Sequence, residues 1–131
     1  MKLLNVKVNI PVDGKDGREI MQTDLTMVME NVYFIVKEPM QTTFQIVGQM
    51  PTPLMSSQPI NEDLMEEAGF YKFEITNGGT VWANPSHIIF IMNPELGVYN
   101  LTFKGGSRVP VKTTGAKITE MFEGTSGNIL L

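Results

Sequence analysis

Four basic residues lie close together in the C-terminal third of the chain: Lys104, Arg108, Lys112 and Lys117. The segment from 96 to 119 contains no acidic residue, whereas the rest of the chain has 6 basic and 14 acidic residues, a net charge of −8. Lysine and arginine, helped by nearby amide and hydroxyl donors, bind phosphate and carboxylate groups. The spacing therefore predicts a local anion-binding surface on an acidic protein.

A hairpin is predicted to position these cations. Gly105, Gly106 and Ser107 form its turn, because glycine adopts positive φ at little cost. Alternation along the two strands then gives an apolar face and a polar face. The residues predicted on the apolar, inward face are Leu101, Phe103, Val109 and Val111. The residues predicted on the polar, outward face are Lys104, Arg108, Lys112, Asn100 and Thr102.

The predicted ligand-binding residues are Lys104, Arg108, Lys112 and Asn100, with Trp82 and Tyr99 as stacking groups. Aromatic rings stack on bases, so a nucleotide or a short single-stranded nucleic acid joins the candidate ligands. Four cations in a chain of net charge −4 favour these over an extended duplex. A solvated strand face, with basic residues that protect a sheet edge, explains the same pattern without any ligand.

The residue counts argue against catalysis. The chain has no cysteine and a single histidine, His87, which excludes a thiolate nucleophile, a cysteine-ligated zinc and most catalytic zinc sites. Ser86 precedes His87, but adjacent strand residues point to opposite faces and form no nucleophile–base pair. Asp13 and Asp16 lack the further ligands of a calcium loop. We therefore predict a non-enzymatic protein with no metal and no cofactor.

The hydrophobic pattern predicts a mainly β fold: about eight short antiparallel strands, as a barrel or sandwich, with one or two short helices. The length of 131 residues predicts a single domain, 1–131. β-rich halves at 1–50 and 70–122 would be joined by a proline-rich arm at 51–60. The methionines of the first half, with this arm, suggest a homo-oligomer or partner interface around residues 50–60. Whether the halves are a duplication stays open.

Several elements have their own signals. Residues 4–12 alternate as a strand, and Asn61 and Gly69 bracket a short helix. The apolar run 87–92 predicts a strand buried on both faces. Ile118, Met121 and Phe122 predict a terminal helix, followed by a loose tail at 125–131.

The segment 70–122 has a rhythm of hairpins, an N-P-x-x-I break and a short helix. It resembles the β-unit of FlbD-like flagellar and swarming regulators, and its break is similar to the start of a strand in LytTR-type DNA-binding domains. The residues that carry this likeness are Asn84, Pro85, His87, Ile88, Ile91, Gly105 and Val111. The resemblance implies a β-fold and, by analogy, a regulatory or DNA-binding role.

Three functions remain under consideration. The first is a binding protein, oligomeric and non-enzymatic, for a partner protein or a small anionic or nucleotide ligand, for example a phage accessory or inhibitor protein. The alternatives are a nucleic-acid-binding regulator and a structural virion or assembly protein. No signal peptide or 18-residue apolar stretch is evident, so we expect a cytoplasmic location, in a host cell included, and no membrane partner.

Overall fold

The computed structural model describes residues 3–50 and 52–122, which are mainly β as predicted. Ten strands and two short helices follow one another along the chain. The strands are β1 (Leu3–Gly14), β2 (Gly17–Val28), β3 (Val32–Lys37), β4 (Phe44–Gly48), β5 (Leu54–Ser56), β6 (Tyr71–Ile75), β7 (Thr80–Ala83), β8 (Ile88–Glu95), β9 (Val98–Phe103) and β10 (Arg108–Lys112). The helices are α1 (Glu62–Glu67) and α2 (Gly115–Met121).

The strands form one open antiparallel sheet, in the order β2-β1-β5-β4-β3-β7-β6-β10-β9-β8. There are ten strands where about eight were expected, and β2 and β8 lie at the two edges. The sheet runs through both predicted β-rich halves, which meet where β3 pairs with β7. In the described part of the chain, no helix has the length and apolar character needed to cross a membrane.

Two hydrophobic clusters form the core, and the central strands separate them. On β3, Ile35 belongs to the first cluster, whereas its neighbours Phe34 and Val36 belong to the second. On β7, Trp82 belongs to the first cluster and Val81 to the second. Because neighbouring strand residues point to opposite faces, β3 and β7 are buried on both faces. The molecule thus places one apolar layer on each side of its central strands.

The first helix begins and ends where the sequence indicated, and a second helix contains the predicted Ile118 and Met121. The side chain of Asn61 accepts hydrogen bonds from the backbone of Asp63 and Leu64 and so caps α1. Gly69 follows the helix with a φ of 88°, a conformation that glycine adopts most easily. In α2, Thr114 caps the helix and Ile118 is fully buried in the second cluster.

The proline-rich stretch differs from its prediction as a linker or surface arm. Residues Leu54–Ser56 form β5, which pairs with both β1 and β4. Leu54 and Met50 pack against the first cluster. Prolines lie on both sides of this three-residue strand but not within it. The prediction missed the strand because a stretch rich in proline is typical of a linker. Within the described part of residues 50–60, Leu54–Ser56 therefore belong to the sheet.

The prediction of a strand buried on both faces at residues 87–92 is wrong. His87 ends a 3-10 turn at Pro85–His87, and β8 begins at Ile88 and runs to Glu95 at the sheet edge. Ile88 and Ile91 pack against the second cluster, but Phe90 and Met92 are about half exposed. An uninterrupted apolar run is typical of a buried strand, and nothing within the run itself marks it as an edge. The tail predicted at 125–131 lies outside the described residues.

Candidate functional site

The β9–β10 hairpin has the inward face that the sequence predicted, but its turn begins at Lys104, one residue earlier than expected. Its turn is a 3-10 segment, Lys104–Gly106, in which Gly105 and Gly106 have φ values of 86° and 93°. The inward residues Leu101, Phe103, Val109 and Val111 are all buried. In register, Arg108 lies opposite Thr102, Pro110 opposite Asn100 and Lys112 opposite Val98.

Two basic side chains therefore share the outward face of this hairpin, while a third lies at its turn. Arg108 and Lys112 are four residues apart on β10, roughly 13 Å along a strand. Asn100 lies beside them on the neighbouring strand, whereas Thr102, which was predicted on the polar outward face, is buried. Lys104 lies in the turn itself, so it extends this row of cations beyond the end of the sheet.

These cations are only weakly neutralised. Lys112 lies 3.8 Å from the Glu74 carboxylate, and both side chains are more than half exposed, so the pair contributes little energy. Within residues 3–50 and 52–122, Lys104 and Arg108 form no ion pair, and both are exposed. Their charge is thus available to an anion from solution.

A shallow groove passes the turn of the hairpin. A cavity of about 410 Å³ has Arg108 and Asn77 in its wall, and a second of about 210 Å³ has Lys104. Both are lined by Val47, Pro53 and Ser107, so they are adjacent. One cation therefore lines each of the two cavities.

The groove also has polar walls that the sequence did not indicate. Glu38 and Gln45 line the larger cavity, and the Glu38 carboxylate accepts a 2.6 Å hydrogen bond from Asn77. These residues come from β4 and from the loops after β3 and β6, which only the fold brings next to the hairpin. No local pattern marks them, because their proximity depends on pairings between distant strands.

The two predicted stacking residues are buried on opposite sides of the sheet. Trp82 is 6% exposed and lies in the first cluster, where the ammonium of Lys72 stands 5.8 Å from its ring centre. Tyr99 is 7% exposed and lies in the second cluster. Neither ring has an open face toward Arg108, so base stacking at this site finds no support in their placement.

The side chain of His87 is held in place by contacts with other residues of the chain. One ring nitrogen, Nε2, donates to the backbone carbonyl of Glu30, and the ring packs on Tyr33 at 4.8 Å between centres. Ser86 lies next to His87, and its backbone N–H donates a hydrogen bond to the side-chain oxygen of Asn84. Among the described residues, no three histidine, aspartate or glutamate side chains are grouped as metal ligands.

Comparison with known proteins gives one informative structural similarity. The chain is similar to the LytTR DNA-binding domain of a Bacillus cereus protein described as a methyl-accepting/DNA response regulator. The similarity covers 89% of this chain and 98% of that domain, with a TM-score of 0.52 and 15% sequence identity. No family model and no curated protein sequence matches the chain.

The similarity shows a shared fold. It confirms the LytTR-like resemblance noted in residues 70–122 and extends it over most of the chain, including the first half that the sequence left unassigned. At this identity the likeness carries no residue roles with it. None of the comparisons points to a phage accessory, inhibitor or virion protein.

Proposed function

We propose that this chain is a non-enzymatic, nucleic-acid-binding domain of a regulatory protein. The observation that carries the proposal is the row of Lys104, Arg108 and Lys112 along one hairpin, two of them without an ion pair in the described structure. The similarity to a domain that binds DNA supports it. Lys104, Arg108 and Lys112 contact phosphate oxygens in this proposal, while Asn100 donates from the neighbouring strand.

The charge balance determines how such binding would behave. Three phosphate contacts give a slope of about −2.7 for the logarithm of affinity against the logarithm of salt concentration. Affinity for duplex DNA then falls about 40-fold between 50 and 200 mM salt. The surrounding net charge of −8 lowers the overall affinity, so we expect micromolar binding at low salt.

The experiment is a fluorescence anisotropy titration of labelled duplex and single-stranded DNA over a range of salt concentrations. The double variant Lys104→Glu with Arg108→Glu is expected to lose binding at every salt concentration. The matched control is Lys15→Glu with Arg18→Glu, which makes the same change of charge at the β1–β2 turn. The control should keep most of the affinity.

Two outcomes would contradict the proposal. One is wild-type protein that binds neither DNA at low salt. The other is equal loss of binding in both double variants, because that would reflect net charge rather than this hairpin. A small anionic ligand in the groove is a weaker candidate, since the Glu38 carboxylate lines the cavity next to Arg108.

A further inference from the structure

The edge strand β8 presents an apolar surface to solvent. Within the described residues, eight large hydrophobic side chains are exposed, and four of them lie between positions 89 and 96. They are Ile89 at 58%, Phe90 at 46%, Met92 at 50% and Leu96, which is fully exposed. No charged residue occurs between 88 and 94. A concentration of this kind marks an interaction site more often than a free surface.

The apolar, uncharged character of this surface indicates which kind of partner would bind it. Phe90 lies opposite Thr102 and Met92 opposite Asn100, so the centre of the patch is apolar and uncharged. The patch itself contains no cation, and Arg108, which would attract a phosphate backbone or an acidic peptide, lies two strands away. An apolar, uncharged strand with the same spacing would be complementary, and this chain carries such a strand in β8 itself.

We propose that β8 is the interface of a homodimer in which two copies pair antiparallel about a two-fold axis at Ile91. The regular part of the strand is centred on this residue, since irregularities interrupt its pairing with β9 between 88 and 90 and between 92 and 95. The axis places Phe90 of one copy opposite Met92 of the other, an aromatic–thioether contact on the outward face.

The acidic residues at the ends of the strand stay apart in this arrangement. Counting outward from Ile91, Glu95 of one copy lies near the 3-10 turn that precedes β8 in the other copy, and not beside a second Glu95. His87 in that turn is bonded to the carbonyl of Glu30 and packed on Tyr33, so it adds no ion pair to the contact. Closed two-fold contacts of this kind join the same patch on both subunits. The axis thus brings the two apolar patches together and keeps the two Glu95 carboxylates apart.

The size of the contact predicts a weak dimer. The exposed parts of the four apolar side chains amount to roughly 500 Å² per copy, at the low end of specific interfaces. Pro94 has no N–H and the bulges shorten the shared ladder, which limits main-chain pairing. We therefore expect a dissociation constant in the micromolar range. The inference uses none of the hairpin cations, so it stands or falls separately from nucleic-acid binding.

Sedimentation velocity of the full chain from 1 to 500 µM tests the proposal. Wild-type protein is expected to shift from monomer to dimer in this range. Phe90→Lys with Met92→Lys should remain monomeric, while the control Ile20→Lys with Met21→Lys, at exposed positions of the opposite edge strand β2, should dimerise like wild type. Circular dichroism checks that both variants are folded. The DNA-binding variant Lys104→Glu with Arg108→Glu should dimerise normally.

Disulfide trapping tests the register, because the natural chain has no cysteine. A mixture of Phe90→Cys and Met92→Cys proteins should form a cross-linked dimer faster than either variant alone, since these positions face each other across the axis. Wild-type protein that stays monomeric at 500 µM would overturn the proposal. Dimerisation that is unaffected by the β8 lysines, or lost equally in the β2 control, would also overturn it.

Discussion

Replacing Thr102 with valine is expected to stabilise the protein. Thr102 is 5% exposed on β9, between Phe90 of β8 and Arg108 of β10, and its hydroxyl oxygen is buried with no hydrogen-bond partner among the residues that the structure describes. A hydroxyl buried in this way costs about 1–3 kcal/mol in folding free energy. Valine has nearly the same shape and replaces the hydroxyl with a methyl group. It also favours the extended backbone of a strand.

The expected gain is about 1–2 kcal/mol, after allowance for some relaxation around the new methyl group. In a chain of this size each kcal/mol corresponds to about 3–5 °C in Tm. Urea unfolding followed by circular dichroism measures the effect, with a raised midpoint and an unchanged slope.

Two control variants isolate the role of the hydroxyl. Thr102→Ser keeps the hydroxyl and removes the methyl group, so it should lose about 1 kcal/mol. Thr26→Val makes the same change at an exposed position whose hydroxyl donates a 2.8 Å hydrogen bond to Asn5, and it should be neutral or slightly destabilising. A Thr102→Val protein no more stable than wild type would contradict the reasoning, because the hydroxyl would then have a partner in solution.

Three further substitutions test close backbone contacts, a glycine turn and a buried hydrogen-bonded side chain. Gly48→Ala should lose about 2–3 kcal/mol in urea unfolding, because its Cβ would lie 2.3 Å from the carbonyl oxygen of Asn31. Gly17→Ala, where nothing lies within 4 Å of the new Cβ but φ is 111°, should lose only about 1–2 kcal/mol. Asn84→Ala should lower Tm by the equivalent of about 2–3 kcal/mol. The buried side-chain amide of Asn84 donates a hydrogen bond to the carbonyl of Val32 and accepts one from the backbone N–H of Ser86, and the substitution removes both. An unchanged Tm would argue against both hydrogen bonds.

Local patterns in the sequence predicted the elements whose cause is local. The cap at Asn61, the Gly69 that ends α1 and the glycine turn of the β9–β10 hairpin each depend on neighbouring residues. Alternation also predicted which side of that hairpin faces the core, and the burial of Phe103 agrees. The outward placement of Arg108 and Lys112 followed from the same rule.

Local sequence patterns could not predict the features that depend on pairing between strands far apart in the sequence. Residues 54–56 gave no strand signal, because β5 exists only through its pairing with β1 and β4. The run 88–92 is apolar like a buried strand, and only the strand order shows that β8 has one neighbour. The burial of Trp82 and Tyr99 in separate clusters likewise depends on the whole sheet.

The pairing of β3 with β7 has a consequence for the way the chain folds. The β1–β2 and β8–β9–β10 regions of the sheet are built from neighbouring strands and close short loops, whereas Phe34 meets Ala83 only after about fifty residues of chain have been brought together. Closing a long loop costs entropy before any contact compensates for it. The central seam is therefore expected to form in the slow step, with the local hairpins at both ends already assembled. Destabilising substitutions at Ile35 should then slow refolding, and so should those in the β1–β2 hairpin, because a hairpin assembled before the slow step is already formed in its transition state.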